Sequence, residues 1–437
     1  MAQDTSEEDL AGAASSMDEQ RPPGQAEPAR SSFLSSFRER TFRSFRYRDF
    51  RLQWIGAFTS TTGTWTQQIA QAWLVYQMTG SPFYLGLTAF LGELPFILFT
   101  LIGGAAADRI ERRKLLLGSQ YVQMASAFTL TALVYWDVIA IWHFLVLVFV
   151  VGTAQAFGGP AYQALIPTLV NREDLPNAIA LNSIQFNLAR MIGPLLAGVM
   201  LEWVGPVYCF ALNGLSFIAV IISLNLIQTR FRPKGSSNSV LRDIQQGLSY
   251  LLRRNALWQL SLLGFVSAFC AIPLLTMMPV FAGQVFGAEA RVYSYLMACS
   301  GAGSVAGALL YAHFSHLQRR GLATLVVQLL FSGFLASFAL SRFLPLSFVL
   351  LFLGGMSMMI LIASINSLVQ LAVDEKMRGR VSSIFMLSFR GAMPLGNLLT
   401  GVAATAFSPT AALLVNSLVL CSCALIFLLG GSRVRRL

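Results

Sequence analysis

The sequence predicts an all-α integral membrane protein whose twelve transmembrane helices form two six-helix bundles related by pseudo-symmetry. Three observations carry that expectation. Of 437 residues, 55% are hydrophobic and only 12% charged, about half the charged fraction of an ordinary soluble domain. Apolar stretches of about 20 residues, each long enough to cross a bilayer as a helix, recur almost to the C-terminus. The basic residues near the ends of those stretches fall almost entirely on one side.

Taken in order, residues 1–30 carry seven acids and two arginines among Ala, Ser, Gln and Pro. That composition buries too little apolar surface to fold and predicts a disordered tail. Residues 31–51 (SSFLSSFRERTFRSFRYRDFR) switch to arginines interleaved with aromatics. Two readings stand: a segment lying on anionic headgroups, or a generic basic flank of the first span. Spans are then expected at 52–77, 83–107, 114–136, 138–160, 177–202 and 206–228 in the first half. The second half supplies 257–283, 291–315, 321–341, 345–371, 379–406 and 410–430. The domain plan is a tail over 1–50, an N-terminal bundle over 51–228, a linker over 229–256, a C-terminal bundle over 257–430 and a basic tail over 431–437.

An even number of spans puts both termini on one side. Among Lys and Arg near span ends, only Arg291 and Arg342 fall on the opposite side, so the termini are expected in the cytoplasm of a plasma (inner) membrane protein. The net charge of +11 is therefore topological, and nucleic acid is not an expected partner. The linker starts Pro/Gly/Ser-rich and becomes a helix with Val240, Leu241, Ile244, Leu248, Leu251 and Leu252 on one face, suited to the membrane interface.

A shift of 200 residues superposes Asp174 on Asp374, Ser183-Ile184 on Ser383-Ile384, Arg190 on Arg390 and Pro194-Leu195 on Pro394-Leu395. Charged residues coinciding in mid-membrane point to an internal repeat. The run Gly104-Ala-Ala-Ala-Asp108-Arg109-Ile-Glu111-Arg112-Arg113 closes span two. It is similar to the G-x-x-x-D-R-x-G-R-R loop motif of the major facilitator superfamily, matching at Gly104, Asp108, Arg109, Arg112 and Arg113, with Glu111 in place of the glycine. Met78-Thr79-Gly80-Ser81-Pro82 with Leu85-Gly86-Leu87 resembles the enterobactin-exporter-like and macrolide-efflux-like subfamily. In span five, Gly193-Pro194-x2-Ala197-Gly198 resembles the antiporter motif of that superfamily, with Ala197 replacing a glycine. The resemblance implies the major facilitator fold and a cytoplasmic gate in which Asp108 pairs with loop arginines and the start of the eleventh span, a positive dipole end.

Three charges lie deep in spans: Glu93, Arg190 and Arg390. At about 1.5 Å per residue each stands roughly 15 Å or more from the nearest span end, where ionisable groups are expensive and face protein or a watery cavity. Glu93 shares a helical stripe with Gly86, Ala89, Thr100 and Gly104, and Arg190 lines up with Ser183, Asn187 and Pro194. Span one adds Gln53, Gly56, Ser60, Thr64, Gln67 and Gln71 within one narrow arc. The expected coupling and substrate cavity is Glu93, Arg190, Arg390, Gln67, Gln71 and Asn187, positively charged and attractive to an anionic or polyoxygenated solute, with Glu93 as the titratable group. The competing reading makes both arginines structural, holding helices through carbonyl contacts.

The five cysteines lie in apolar stretches without CxxC spacing, which reads as packing. His313 and His316 lack a third ligand, so neither a metal nor a cofactor is expected. With no H-E-x-x-H, G-x-S-x-G or G-x4-G-K-[ST] in the chain, the sequence does not read as an enzyme or a self-contained ATP-driven pump. The function expected is secondary active export of a small siderophore-, macrolide- or drug-like solute, coupled to protons, by a lipid-embedded monomer. Uptake or facilitated diffusion on the same scaffold is the alternative, and an intramembrane enzyme or lipid scramblase the alternative of another class.

Overall fold

The computed structural model describes residues 42–109, 111–228, 240–313, 319–430 and 432–436, of which 101, 104–109, 240–244, 376 and 436 are described by backbone alone. The acidic tail 1–30, most of the basic flank, the stretch 229–239 and His316 lie outside the described residues. All twelve expected spans are helices, with ends shifted by five residues or fewer. The first half comprises α1 (Arg48–Thr79), α2 (Pro82–Arg109), α3 (Arg112–Tyr135), α4 (Ile141–Leu165), α5 (Leu175–Trp203) and α6 (Pro206–Leu226). After the linker helix α7 (Val240–Arg253) come α8 (Asn255–Val285), α9 (Ala290–His313), α10 (Arg320–Leu340), α11 (Leu344–Ala372), α12 (Arg378–Ala406) and α13 (Pro409–Leu429).

Turn chemistry sets these boundaries. Gly80 takes φ +61°, its N–H closes on the Tyr76 carbonyl at 2.7 Å, and Pro82 restarts the chain as α2. Gly205, at φ +85°, reaches the Met200 carbonyl at 2.8 Å before Pro206 opens α6. Ser408 caps α13 by accepting from the Ala411 N–H at 3.1 Å.

Nine of the twelve are apolar enough, by length and composition, to cross a membrane. The other three, α1, α3 and α12, turn polar faces to neighbouring helices. Gln67 of α1 accepts a bond from Asn213 of α6 at 2.7 Å. Ser119 of α3 donates to the Ala154 carbonyl of α4 at 2.7 Å. Asn397 of α12 accepts from Thr276 of α8 at 2.9 Å, and Thr400 accepts from Asn416 of α13 at 2.9 Å. Such bonds satisfy polar groups that lipid could not.

In the first bundle α1 packs on α5 and α6, α2 on α4, and α3 on α4 and α6; in the second α8 packs on α12 and α13, α9 on α11, and α10 on α11 and α13. The two bundles meet along two seams, α2 with α12 and α5 with α9. Three buried apolar clusters show how the halves sit. One lies toward the face remote from the termini and draws on both bundles, from Ile69, Trp73 and Leu85 to Met277, Phe281 and Tyr293. The other two lie toward the terminal face, each within one bundle: Phe50, Leu116, Leu165 and Phe217 in the first, Leu257, Leu325, Leu361 and Phe385 in the second. Around the shared cluster, Trp73 stacks on Tyr293 with centroids 6.0 Å apart, the Phe83 N–H donates to Thr405 at 2.9 Å, and Arg291 pairs with Glu202 at 3.0 Å.

The coincidence of Asp174 with Asp374 acquires a structural meaning. Asp174, just before α5, has a side chain 1% exposed; it accepts from the Tyr47 hydroxyl at 2.6 Å and from Arg46 at 2.6 Å, and forms an ion pair with Arg43 at 2.8 Å. Asp374, before α12, receives the Tyr250 hydroxyl at 2.6 Å and Arg254 at 2.7 Å, and is itself exposed. In each case the arginine lies over its tyrosine, 4.9 Å for Arg46 and 4.8 Å for Arg254. The Tyr47 hydrogen bond, ahead of the two arginine charges and against the opposing effect of burial, holds the Asp174 carboxyl below its ordinary value. Of the basic flank, then, Arg43 and Arg46 neutralise an acid of their own chain. Of the expected apolar face of the linker helix, the side chains of Val240, Leu241 and Ile244 lie outside the described residues. Leu251 is buried and Gly247 sits against Ile384 and Arg380 of α12, while Leu248 and Leu252 stay exposed.

Candidate functional site

Close approach of α2 to α12 begins at glycines. A Cβ on Gly86 would lie 2.5 Å from the Asn397 carbonyl and one on Gly401 would lie 3.1 Å from the Gly86 Cα, so this crossing admits hydrogen only. Toward the terminal face the same two helices carry Glu93 and Arg390. Their side chains come to 4.0 Å, each about two-fifths exposed (42% and 41%), and the Arg390 guanidinium lies 4.2 Å from the centre of the Phe96 ring. At that separation the charges attract without a formed hydrogen bond, and the ring face adds a cation–π contact.

The other seam is built differently. Gly193 of α5 admits α1, since a Cβ there would meet the Trp65 side chain and come 3.1 Å from the Thr62 carbonyl. The Thr66 hydroxyl donates to the Gly193 carbonyl at 3.1 Å. Pro194 has no N–H, which leaves the Arg190 carbonyl without its usual intrahelical donor; Gly301 of α9 passes beside that carbonyl, where a Cβ would stand 3.3 Å away. Gly198 faces Ser294 of α9 in the same way, at 2.8 Å. The Gly193, Pro194 and Gly198 motif thus joins α5 to α1 and to α9. The half-buried Arg190 guanidinium lies 5.8 Å from the Trp65 ring centre, and Trp65 meets Phe186 edge to face at 6.2 Å. Among the described residues no carboxylate stands within ion-pairing distance of Arg190.

The structure therefore brings Glu93 and Arg390 together and sets Arg190 on the opposite seam. Gln67 lies elsewhere: it is buried between α1 and α6, bonded to Asn213, and the stripe it belongs to faces the interior of the first bundle, with Gly56 against Ser223 and Gly63 against Ser216. Gln71 is half-buried one turn further on. Asn187 donates to the Ser183 carbonyl of its own helix at 2.8 Å. The expected cavity includes Gln67 and Gln71; the structure seats Gln67 against α6 instead. Two residues that sequence reasoning missed are Phe96 and Trp65. Phe96 stands three residues after Glu93, on the same helical face, and was open to discovery; Trp65 needs the α1–α5 register, which no local pattern carries.

In the loop motif, Gly104, Asp108 and Arg109 lie in the last turns of α2, and their side chains lie outside the described residues. Arg113 donates to the carbonyls of Asn225 at 2.8 Å and Ile227 at 3.3 Å, closing the C-terminal end of α6 where a cation is favoured. Glu111, in the glycine's place, pairs with Lys114 at 3.6 Å. Among the described residues no group of three or more His, Cys, Asp or Glu is arranged to hold a metal.

Comparison with known proteins places this architecture. A family model described as transmembrane secretion effector matches residues 39–435. Macrolide efflux protein A of Streptococcus pyogenes is 25% identical over 375 residues, covering 82% of this chain and 90% of the relative. The staphyloferrin A transporter of Staphylococcus aureus is 26% identical over 363 residues, covering 80% and 88%. The enterobactin exporter of Citrobacter koseri is 25% identical over 402 residues, covering 88% and 92%. Among solved structures, a bacterial homologue of the human lysosomal transporter Spinster, inward-facing and occupied, superposes with TM-score 0.71 at 14% identity over 88% of this chain and 97% of that one. The nucleoside transporter NupG gives TM-score 0.67 at 13% identity over 87% and 98%. At these identities the structures speak for the fold.

Proposed function

Because the chain belongs to the transmembrane secretion effector family of the major facilitator superfamily, we propose that this multi-pass membrane transporter exports a small organic solute by alternating access in exchange for protons. The names of the relatives, which include macrolide, siderophore and multidrug exporters, support export. The excess of Lys and Arg at the terminal face supports placing that face in the cytoplasm of the plasma membrane. On that placement the cluster shared between bundles lies toward the outside and the two separate cores lie toward the cytoplasm, which supports an inward-facing arrangement.

The observation that carries the reading is the Glu93–Arg390 pair at 4.0 Å across a seam that must change when the bundles rock. An ionised Glu93 ties α2 to α12 through Arg390. A proton arriving from outside removes that attraction, and its departure to the cytoplasm restores it, so proton traffic biases which face is closed. Phe96 keeps Arg390 in place when the carboxyl is neutral. The test is counterflow and uphill transport in proteoliposomes, using siderophores, macrolides and organic acids under an imposed pH gradient. Solute moving against the proton flux is expected; solute accumulating with the protons would refute antiport in favour of uptake.

A further inference from the structure

The two seams are built to one plan with one difference. Each crosses on small residues near the outer face, Gly86 on Gly401 and Ser294 on Gly198. Each carries one member of the repeated arginine pair, Arg390 on α12 and Arg190 on α5. Glu93 stands in α2 at the same distance from the helix start as Gly301 does in α9, and Gly301 lies beside the Arg190 backbone. Where the helix facing Arg390 carries an acid, the matching position facing α5 carries a residue with no side chain, set against the Arg190 backbone. Arg390 is compensated at 4.0 Å, whereas Arg190 has only the Trp65 face at 5.8 Å and, among the described residues, no carboxylate within pairing distance.

A guanidinium inside a span without a counter-charge is unfavourable. It keeps a planar set of donors that match an oxyanion two at a time. Resting on the reading of this cavity as the transport site, we propose that Arg190 is its anion anchor: it takes the carboxylate, or a comparably acidic oxygen group, of an organic anion, while Trp65 and Phe186 receive the solute's apolar part. Glu93 and Arg390, occupied with each other, leave the anion to Arg190. Division of labour follows, with proton coupling on the α2–α12 seam and solute charge on the α5–α9 seam. Cationic amphiphiles are disfavoured substrates on this scheme.

The test does not require the natural solute. Asn187→Cys, one turn before Arg190 on α5, is made in a background with the native cysteines replaced, in vesicles. Its rates of modification by the anionic sulfonatoethyl and the cationic trimethylammonioethyl methanethiosulfonates are compared, after correction for their reactivity with a free thiol. We expect the anionic reagent to be favoured about tenfold, the lower end of focusing by a charged cleft. The preference should vanish in Arg190→Gln, persist in Arg190→Lys, and fall in Gly301→Asp, which puts a negative charge at the position matching Glu93. Equal rates for the two reagents, or a preference unchanged by Arg190→Gln, would overturn the anchor. Should Gly301→Asp fail to fold, the glutamine and lysine variants still decide. The outcomes separate from the coupling reading, because Glu93→Gln tests proton dependence alone: an intact anion preference with unaltered pH response condemns the coupling and leaves the anchor standing.

Discussion

Replacing Glu93 by Gln removes one charge from the seam between α2 and α12 while keeping the side chain's shape. Two unit charges at 4.0 Å attract by about 4 kcal/mol at an effective dielectric of 20. Both side chains are about two-fifths exposed, so solvent screening brings the working figure down to roughly 1 kcal/mol. That corresponds to about a fivefold shift in the balance between the two faces. The variant should therefore still exchange solute across the membrane, with counterflow within about fivefold of the parent. Uphill export driven by a pH gradient should fall to the level of gradient-free vesicles, and its dependence on pH should flatten. The assay is paired counterflow and gradient-driven transport in proteoliposomes of defined orientation. Undiminished proton-driven efflux with an unchanged pH profile would refute the assignment of Glu93 as the coupling acid.

Three further outcomes follow from the geometry. Gly86→Leu forces side-chain atoms against the Asn397 carbonyl and should lower the melting temperature through an overpacking penalty of about 1–3 kcal/mol; it should also weaken outer closure, read as slower cross-linking of cysteines placed at Phe83 and Thr405. Because the folded-state value of Asp174 is depressed, its clamp contributes fully above the ordinary carboxylate range and is lost as pH falls through the lowered folded value; thermal unfolding of Asp174→Asn between neutral and acid pH should lack that acid-side loss, and a parallel decline in both proteins would count against the clamp. Arg113→Gln gives up charge-assisted bonds to the Asn225 and Ile227 carbonyls worth roughly 1 kcal/mol at an exposed helix end, so hydrogen exchange should quicken at the end of α6 and not at its start.

The sequence was most informative where structure is local. Span limits came through because Gly80 with Pro82, and Gly205 with Pro206, break helices by their own backbone preferences. The depth of Glu93, Arg190 and Arg390 was equally legible, since counting along a helix needs no partner. What one chain's pattern cannot show is register between helices. Nothing local says that Glu93 faces Arg390 across a seam while Arg190 faces Trp65 inside its own bundle. Gln67 illustrates the same limit: a polar stripe says that a helix avoids lipid, and leaves open whether it meets a cavity or, as here, α6. Arg43 and Arg46 were read with the membrane because basic flanks usually are; their engagement by Asp174 depends on a residue more than a hundred positions away.

The cluster shared by the two bundles, toward the face remote from the termini, bears on which face parts more readily. Trp73, Met277, Phe281 and Tyr293 belong to a single buried body contributed by both halves, and opening that side means wetting all of it at once. The terminal side asks for no such disruption, since its two cores are already separate. Parting the bundles therefore wets more apolar surface on the face remote from the termini than on the terminal face, a one-way bias of the kind a check valve has. That opening is resisted by the same apolar contacts that hold the fold together.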